Sequence, residues 1–155
     1  MTEQILLDYF QNFATVEHLS DDLKDSQKKT SFDTTSVHIK PIDSSQDFAI
    51  TKEHLIRLCD EALNEKLTTT DINTIAFVII TSEFFTWDNE TEEGILIETV
   101  LYDWDNPEIG FDLTLKNIRL WKEYLLTGNY NLDKDELKAK FRNDGKRRKK
   151  ASDDK

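Results

Sequence analysis

Ile72 to Phe85 is the most apolar run in the chain, and it does most to decide the fold class. Fourteen residues pass without a turn signal, although Ile75, Val78, Ile79 and Ile80 favour β-structure. An ordinary strand holds about 5–6 residues, so length assigns the run to a helix, apolar almost all round and central to a core. The expected class is mainly α. The alternative is α+β, with residues 75–81 and 95–103 paired as a hairpin.

A second constraint lies over the first. From Leu67 to Leu115 there is no lysine or arginine, yet eleven acids occur: Asp71, Glu83, Asp88, Glu90, Glu92, Glu93, Glu98, Asp103, Asp105, Glu108 and Asp112. A dense core signal and an uncompensated negative surface therefore come from the same residues. The formal charge of the 155-residue chain is −11, unevenly spread. Residues 1–133 hold ten basic and 26 acidic residues, a net of −16, and residues 134–155 carry a net of +5. Such a body repels phosphate backbones and anionic membrane surfaces. Its electrostatic complement is a basic protein patch, toward which steering raises association rates by roughly 10 to 10³-fold at low salt.

Helical periodicity continues on both sides of the run. Thr51 is an N-cap before the stripe Leu55, Leu58, Cys59 and Ala62, and Thr68 to Asp71 form the next break and cap. Trp87 to Gly94 reads as a turn, and Ile97, Val100, Leu101 and Trp104 form a further stripe ended by Asn106-Pro107. Thr114 caps a helix with Leu115, Ile118, Trp121 and Leu125 on one side, closed by Gly128. A compact bundle of about four helices over residues 51–128 is expected. Before it, Ile5, Leu6, Tyr9, Phe10 and Phe13 form a helix capped by Thr2, and Val16, Leu19 and Leu23 form a weaker pattern that buries little. Phe32 to Ile42 suggests a short strand ended by Pro41, within a linker or loosely packed arm over residues 20–49. The expected organisation is an N-terminal helix and polar arm (1–48), a helical core domain (49–132), and a short helix with a disordered basic tail (133–155).

No catalytic, cofactor or metal signature accompanies this pattern. Asp88 to Gly94 alternates oxygens as an EF-hand does, but glycine falls seventh rather than sixth and the twelfth place is Thr99. His54 and Cys59 would share a helix but point about 140° apart, and Cys59 reads better as a small core hydrophobe. The four glycines are scattered, so no loop cradles a phosphate. Lys146 to Lys150 lacks interleaved aromatics and sits beside an acidic body. A lone cysteine excludes an intrachain disulfide, the N-terminus lacks a signal-peptide pattern, and no run approaches the roughly 18 residues of a membrane span. A cytoplasmic location is expected.

The triplet Trp-Asp-Asn occurs at residues 87–89 and again at 104–106, each after an apolar segment and before acids. Each Trp either closes the core or anchors a recognition patch. The expected partner-binding set is Trp87, Asp88, Glu90, Glu92, Glu93, Trp104, Asp103, Asp105, Glu108 and Asp112.

Four segments, Ile50–Leu67, Ile75–Asp88, Leu101–Ile109 and Leu113–Gly128, together resemble those of small acidic bacterial proteins found as immunity or antitoxin partners of toxins. The resemblance covers about residues 49–130. It implies an inhibitor that occludes a toxin's basic active site, and it transfers no catalytic residues. The expected function is thus a non-enzymatic acidic binding protein for a basic partner, either a toxin or a nucleic-acid enzyme. Alternatives are a DNA-mimic inhibitor of a nucleic-acid enzyme and a carboxylate-dependent metal enzyme.

Overall fold

The computed structural model describes residues 1–29, 35–37 and 39–142, and the chain in it is mainly helical. In order come α1 (Glu3–Phe10), α2 (Val16–Ser26), β1 (Gln27–Lys29), β2 (Thr35–Val37), β3 (Phe48–Ala49), α3 (Lys52–Leu63), α4 (Thr69–Thr81), β4 (Phe85–Thr86), α5 (Glu92–Asp105) and α6 (Leu115–Thr127). A further helix, α7, covers residues 134–142. The α+β alternative is overturned, because both proposed hairpin arms lie within helices α4 and α5.

Threonine starts most of these helices. Thr2, Thr51, Thr68, Thr91 and Thr114 are N-caps whose hydroxyls accept from backbone N–H groups three residues on. At Thr51 the imidazole Nδ1 of His54 accepts in return from the cap's own N–H at 3.0 Å. Burial, followed by the nearby Arg57 charge, holds His54 below the usual histidine range, in keeping with an accepting ring nitrogen. Gly128 ends α6 in the left-handed region (φ 79°), donating to the Tyr124 carbonyl at 2.8 Å.

The α4 helix stops at Thr81, four residues short of the expected Phe85. There the Ser82 hydroxyl accepts from the N–H groups of Phe84 and Phe85 at 2.9 and 3.1 Å, drawing the backbone out of the helix. Phe85–Thr86 then pairs in parallel with Phe48–Ala49. Phe48, Phe84, Phe85, Phe10 and His54 form one aromatic cluster around this pairing.

The N-terminal helices belong to the same core. Val16, Leu19 and Leu23 are buried, which corrects the expectation that this segment buries little. Three residues at i, i+3 and i+7 suffice for a continuous stripe, however polar the rest of the helix. Leu6, Tyr9 and Phe10 of α1 join the same hydrophobic cluster as Ile75 and Trp104. The backbone N–H of Thr2 donates to Asp22 Oδ2 at 2.9 Å, tying the start of α1 to α2. Residues 20–49 are thus partly built into the fold. They hold the end of α2, the antiparallel β1–β2 pair and a backbone bond from Lys40 to Met1 (2.9 Å). Of the described residues in the expected strand over 32–42, Thr35–Val37 form a strand and Lys40 makes an isolated bridge with Thr2, while Phe32 lies outside the described residues. The expected disorder of Lys146 to Lys150 likewise concerns residues outside them.

Among the helices, α3 packs against α6 and α4 against α5, with α5 also touching α3 and α6. Trp104 and Trp121 meet edge to face, with centroids 6.4 Å apart, where α5 and α6 join.

If α1 and α2 share one cooperative core with the rest, Leu19→Ala should destabilise the whole protein by about 2–5 kcal/mol. The tryptophans all lie after residue 86. Urea unfolding followed by tryptophan fluorescence and by far-UV circular dichroism should therefore give coincident transitions, both shifted equally. An early dichroism loss with unmoved fluorescence would show an independent arm.

Candidate functional site

The expected partner-binding residues fall at the two ends of α5, whose fourteen residues separate them by about 20 Å. They do not make one continuous patch.

At the N-terminal end, Asp88 and Glu90 are exposed on a loop folded tightly against the first turn of α5, which itself carries the exposed Glu92 and Glu93. The Asp88 carboxylate accepts from the Glu90 N–H (3.0 Å), and the Thr91 hydroxyl donates to the Asp88 carbonyl (2.8 Å). Gly94 permits this fold: a Cβ there would stand 1.6 Å from the Asp88 carbonyl oxygen. The sequence showed Gly94 only as a misplaced loop glycine; its role is close backbone approach. Glu93 accepts from the Lys52 N–H at 3.3 Å, so it sits at the N-terminus of α3, where the helix dipole favours an anion. Asp88, Glu90 and Glu92 have no ion-pair partner among the described residues. Trp87 precedes them, half-buried.

At the C-terminal end two of the four acids, Asp103 and Asp112, are engaged. The Asp103 carboxylate accepts from Trp121 Nε1 at 2.9 Å and from the Tyr130 hydroxyl at 2.5 Å. Burial and then this bond push the Tyr130 hydroxyl above the usual tyrosine range. Asp112 pairs with Lys140 Nζ at 2.8 Å, and the same ammonium donates to the Pro107 and Gly110 carbonyls. Asp105 points to the other flank of α5, about 160° from Asp103. Its carboxyl is raised above the ordinary aspartate range by burial and by Glu108, which is exposed beside it. Trp104 is fully buried, with Nε1 lacking a hydrogen-bond partner among the described residues. It is a core side chain, and it drops out of the expected partner-binding set because it lies on the same helix face as Ile97, Val100 and Leu101.

Other residues occupy the place expected for it. Ile95 is 49% exposed and Tyr102 is 47% exposed, seven residues apart on the solvent face of α5. Phe77 of α4 is 39% exposed. The Asn73 amide donates to the Trp104 carbonyl, and Ile80 shares a cleft with Glu98, so Phe77 stands level with the middle of α5. The signal was in the sequence: Ile95 and Tyr102 fall opposite the buried stripe of the same helix.

Among the described residues, no group of three or more side chains is placed to hold a metal ion. Cys59 is fully buried and its thiol is pushed above the usual range by that burial, so it is no nucleophile at neutral pH. No helix among the described residues is long and apolar enough to cross a membrane.

Two outcomes test this geometry. Asp105 is charged less readily in the folded chain than in the unfolded one, so its ionisation opposes folding above its folded pKa. Asp105→Asn should therefore raise the melting temperature at pH 7, with the gain disappearing below about pH 4, where both states are protonated. Gly94→Ala should destabilise by about 1–3 kcal/mol through overpacking, and amide exchange of Glu90 to Glu92 should speed up as the loop lifts away.

Comparison with protein-family models, with curated proteins and with solved structures gives no match, so the functional reading rests on the residues of this site.

Proposed function

We propose that the protein is a non-catalytic, cytoplasmic inhibitor of the immunity or antitoxin type. It would dock its α4–α5 face and the 87–93 loop on a basic surface of a partner protein. The observation that carries this reading is the juxtaposition on α5 and its leading loop. Asp88, Glu90 and Glu92 stand exposed without an ion-pair partner among the described residues, on the helix that also presents Ile95 and Tyr102. Uncompensated carboxylates accelerate encounter, and exposed apolar side chains slow dissociation. The loop bonds of Asp88, Thr91 and Gly94 hold the acids in place beforehand, which lowers the entropic cost of binding.

Imitation of DNA fits this geometry less well. A phosphate mimic needs a regular row of free carboxylates, and Asp103 and Asp112 are occupied by internal bonds. The four helices over residues 51–128 would serve as a rigid scaffold for the docking face.

The test uses Glu90→Lys and Glu92→Lys together, leaving Glu93 with its Lys52 bond intact. Loss of an acid from the first turn of α5 should cost only about 0.3–1 kcal/mol, so the variant folds. The partner is first captured on the immobilised wild-type protein, and both forms are then measured against it by surface plasmon resonance. The association rate should fall at least tenfold at low salt, with the dissociation rate nearly unchanged. Equal association rates for the two forms would exclude this face.

A further inference from the structure

Between the end of α4, the β4 segment and the start of α5 lies a cleft of about 270 Å³. Ile80 and Phe85 supply its apolar wall, and Ser82, Thr86, Trp87, Asn89 and Glu98 complete its lining. The volume lies just under the roughly 300–1,000 Å³ of small-molecule sites, a fit for one side chain rather than a cofactor. Glu98 is half-buried, yet its carboxylate has no hydrogen-bond or ion-pair partner among the described residues. An incoming cation would give this carboxylate the partner it lacks. Trp87, likewise half-buried, is the only tryptophan of the three that is not in the closed core.

We infer that this cleft is the anchor point of the docking face and receives an arginine side chain of the basic partner. The inference rests on the binding reading above and specifies its central contact. A guanidinium suits the lining better than an ammonium. Its planar fork can bond a carboxylate while its face lies against an aromatic ring, and it is more weakly hydrated. The cleft also opens beside the acids that would draw a cation toward it, since Asn89 lies between Asp88 and Glu90. Glu98 and the exposed Ile95 and Tyr102 share one side of α5, so the anchor and the apolar contacts form a single surface.

The test needs no partner protein. N-acetylarginine amide and, separately, N-acetyllysine amide are titrated into the full chain, and the indole N–H signals are followed by NMR, with Trp87→Phe assigning the Trp87 signal. The arginine compound should shift the Trp87 signal saturably while leaving Trp121 unmoved, and the lysine compound should bind more weakly. Glu98→Gln should weaken arginine binding about tenfold, as loss of a charge-assisted hydrogen bond implies. An unchanged melting temperature would confirm that this variant is folded. No saturable shift in the wild type, equal binding by Glu98→Gln, or equal affinity for the lysine compound would each overturn the assignment. Reversal of Glu90 and Glu92 should leave the titration measurable, so a failure of the docking face and a failure of the cleft are told apart.

Discussion

The rotation of α5 about its own axis decides what this protein shows to solvent, and the Asp103 carboxylate fixes that rotation. It receives the Trp121 indole and the Tyr130 hydroxyl, one from α6 and one from the segment after it. Each helical residue is turned by about 100° from the last, so fixing one direction fixes all of them. With Asp103 held toward α6, Ile97, Val100, Leu101 and Trp104 are driven into the core, and Ile95 and Tyr102 face water. Hydrogen bonds to a charged acceptor are worth about 1.5–3 kcal/mol each, and loss of the carboxylate would strand a buried indole N–H. A slip of one residue in α5 would break these bonds and expose Trp104 together.

The uneven handling of charge follows from this arrangement. A stretch of forty-nine residues without a cation should repel itself, and the fold relieves that repulsion at one end only. Lys140 reaches back from α7 to Asp112 and two carbonyls of the 107–110 turn, and Asp103 is internally bonded. The N-terminal acids receive only backbone donors: Glu93 from Lys52, and Asp88 from Glu90. Those bonds orient the carboxylates without neutralising them. Lys140 removes one charge at the C-terminal end, where Asp105 and Glu108 have no ion-pair partner among the described residues, so both ends of α5 stay negative.

Local signals in the sequence were reliable where the determinant is local. The caps at Thr2, Thr51 and Thr114, the stop at Gly128 and the buried stripe of α5 all depend on residues within a turn of one another, whereas α4 starts at Thr69, three residues before the expected Ile72. The end of α4 was not legible, because it depends on Phe85–Thr86 finding Phe48–Ala49, a pairing across thirty-seven residues. The burial of α2 was hidden for a similar reason. Its stripe of Val16, Leu19 and Leu23 is short, and only the docking partner makes it sufficient. At the candidate site the acids could be read directly, but their roles could not. Nothing in the sequence distinguishes Asp103, bonded to two aromatic side chains, from Glu90, which faces water.

The two Trp-Asp-Asn triplets show how far an identical tripeptide can diverge. In the second, Trp104 is the last core residue of a helix, Asp105 turns outward, and Asn106 closes the helix with its amide on the Tyr102 carbonyl. In the first, the helix has already ended at Thr81, so the same three residues run through a loop. Trp87 is left partly buried against Ile80 and Glu98, and Asp88 braces the loop that displays Glu90. Ser82 makes this difference by pulling the chain out of α4 before the first triplet is reached. Had α4 continued to Phe85, both triplets would have sat at helix ends. The surface would then have kept its acids but lost the cleft lined by Ile80, Trp87 and Glu98.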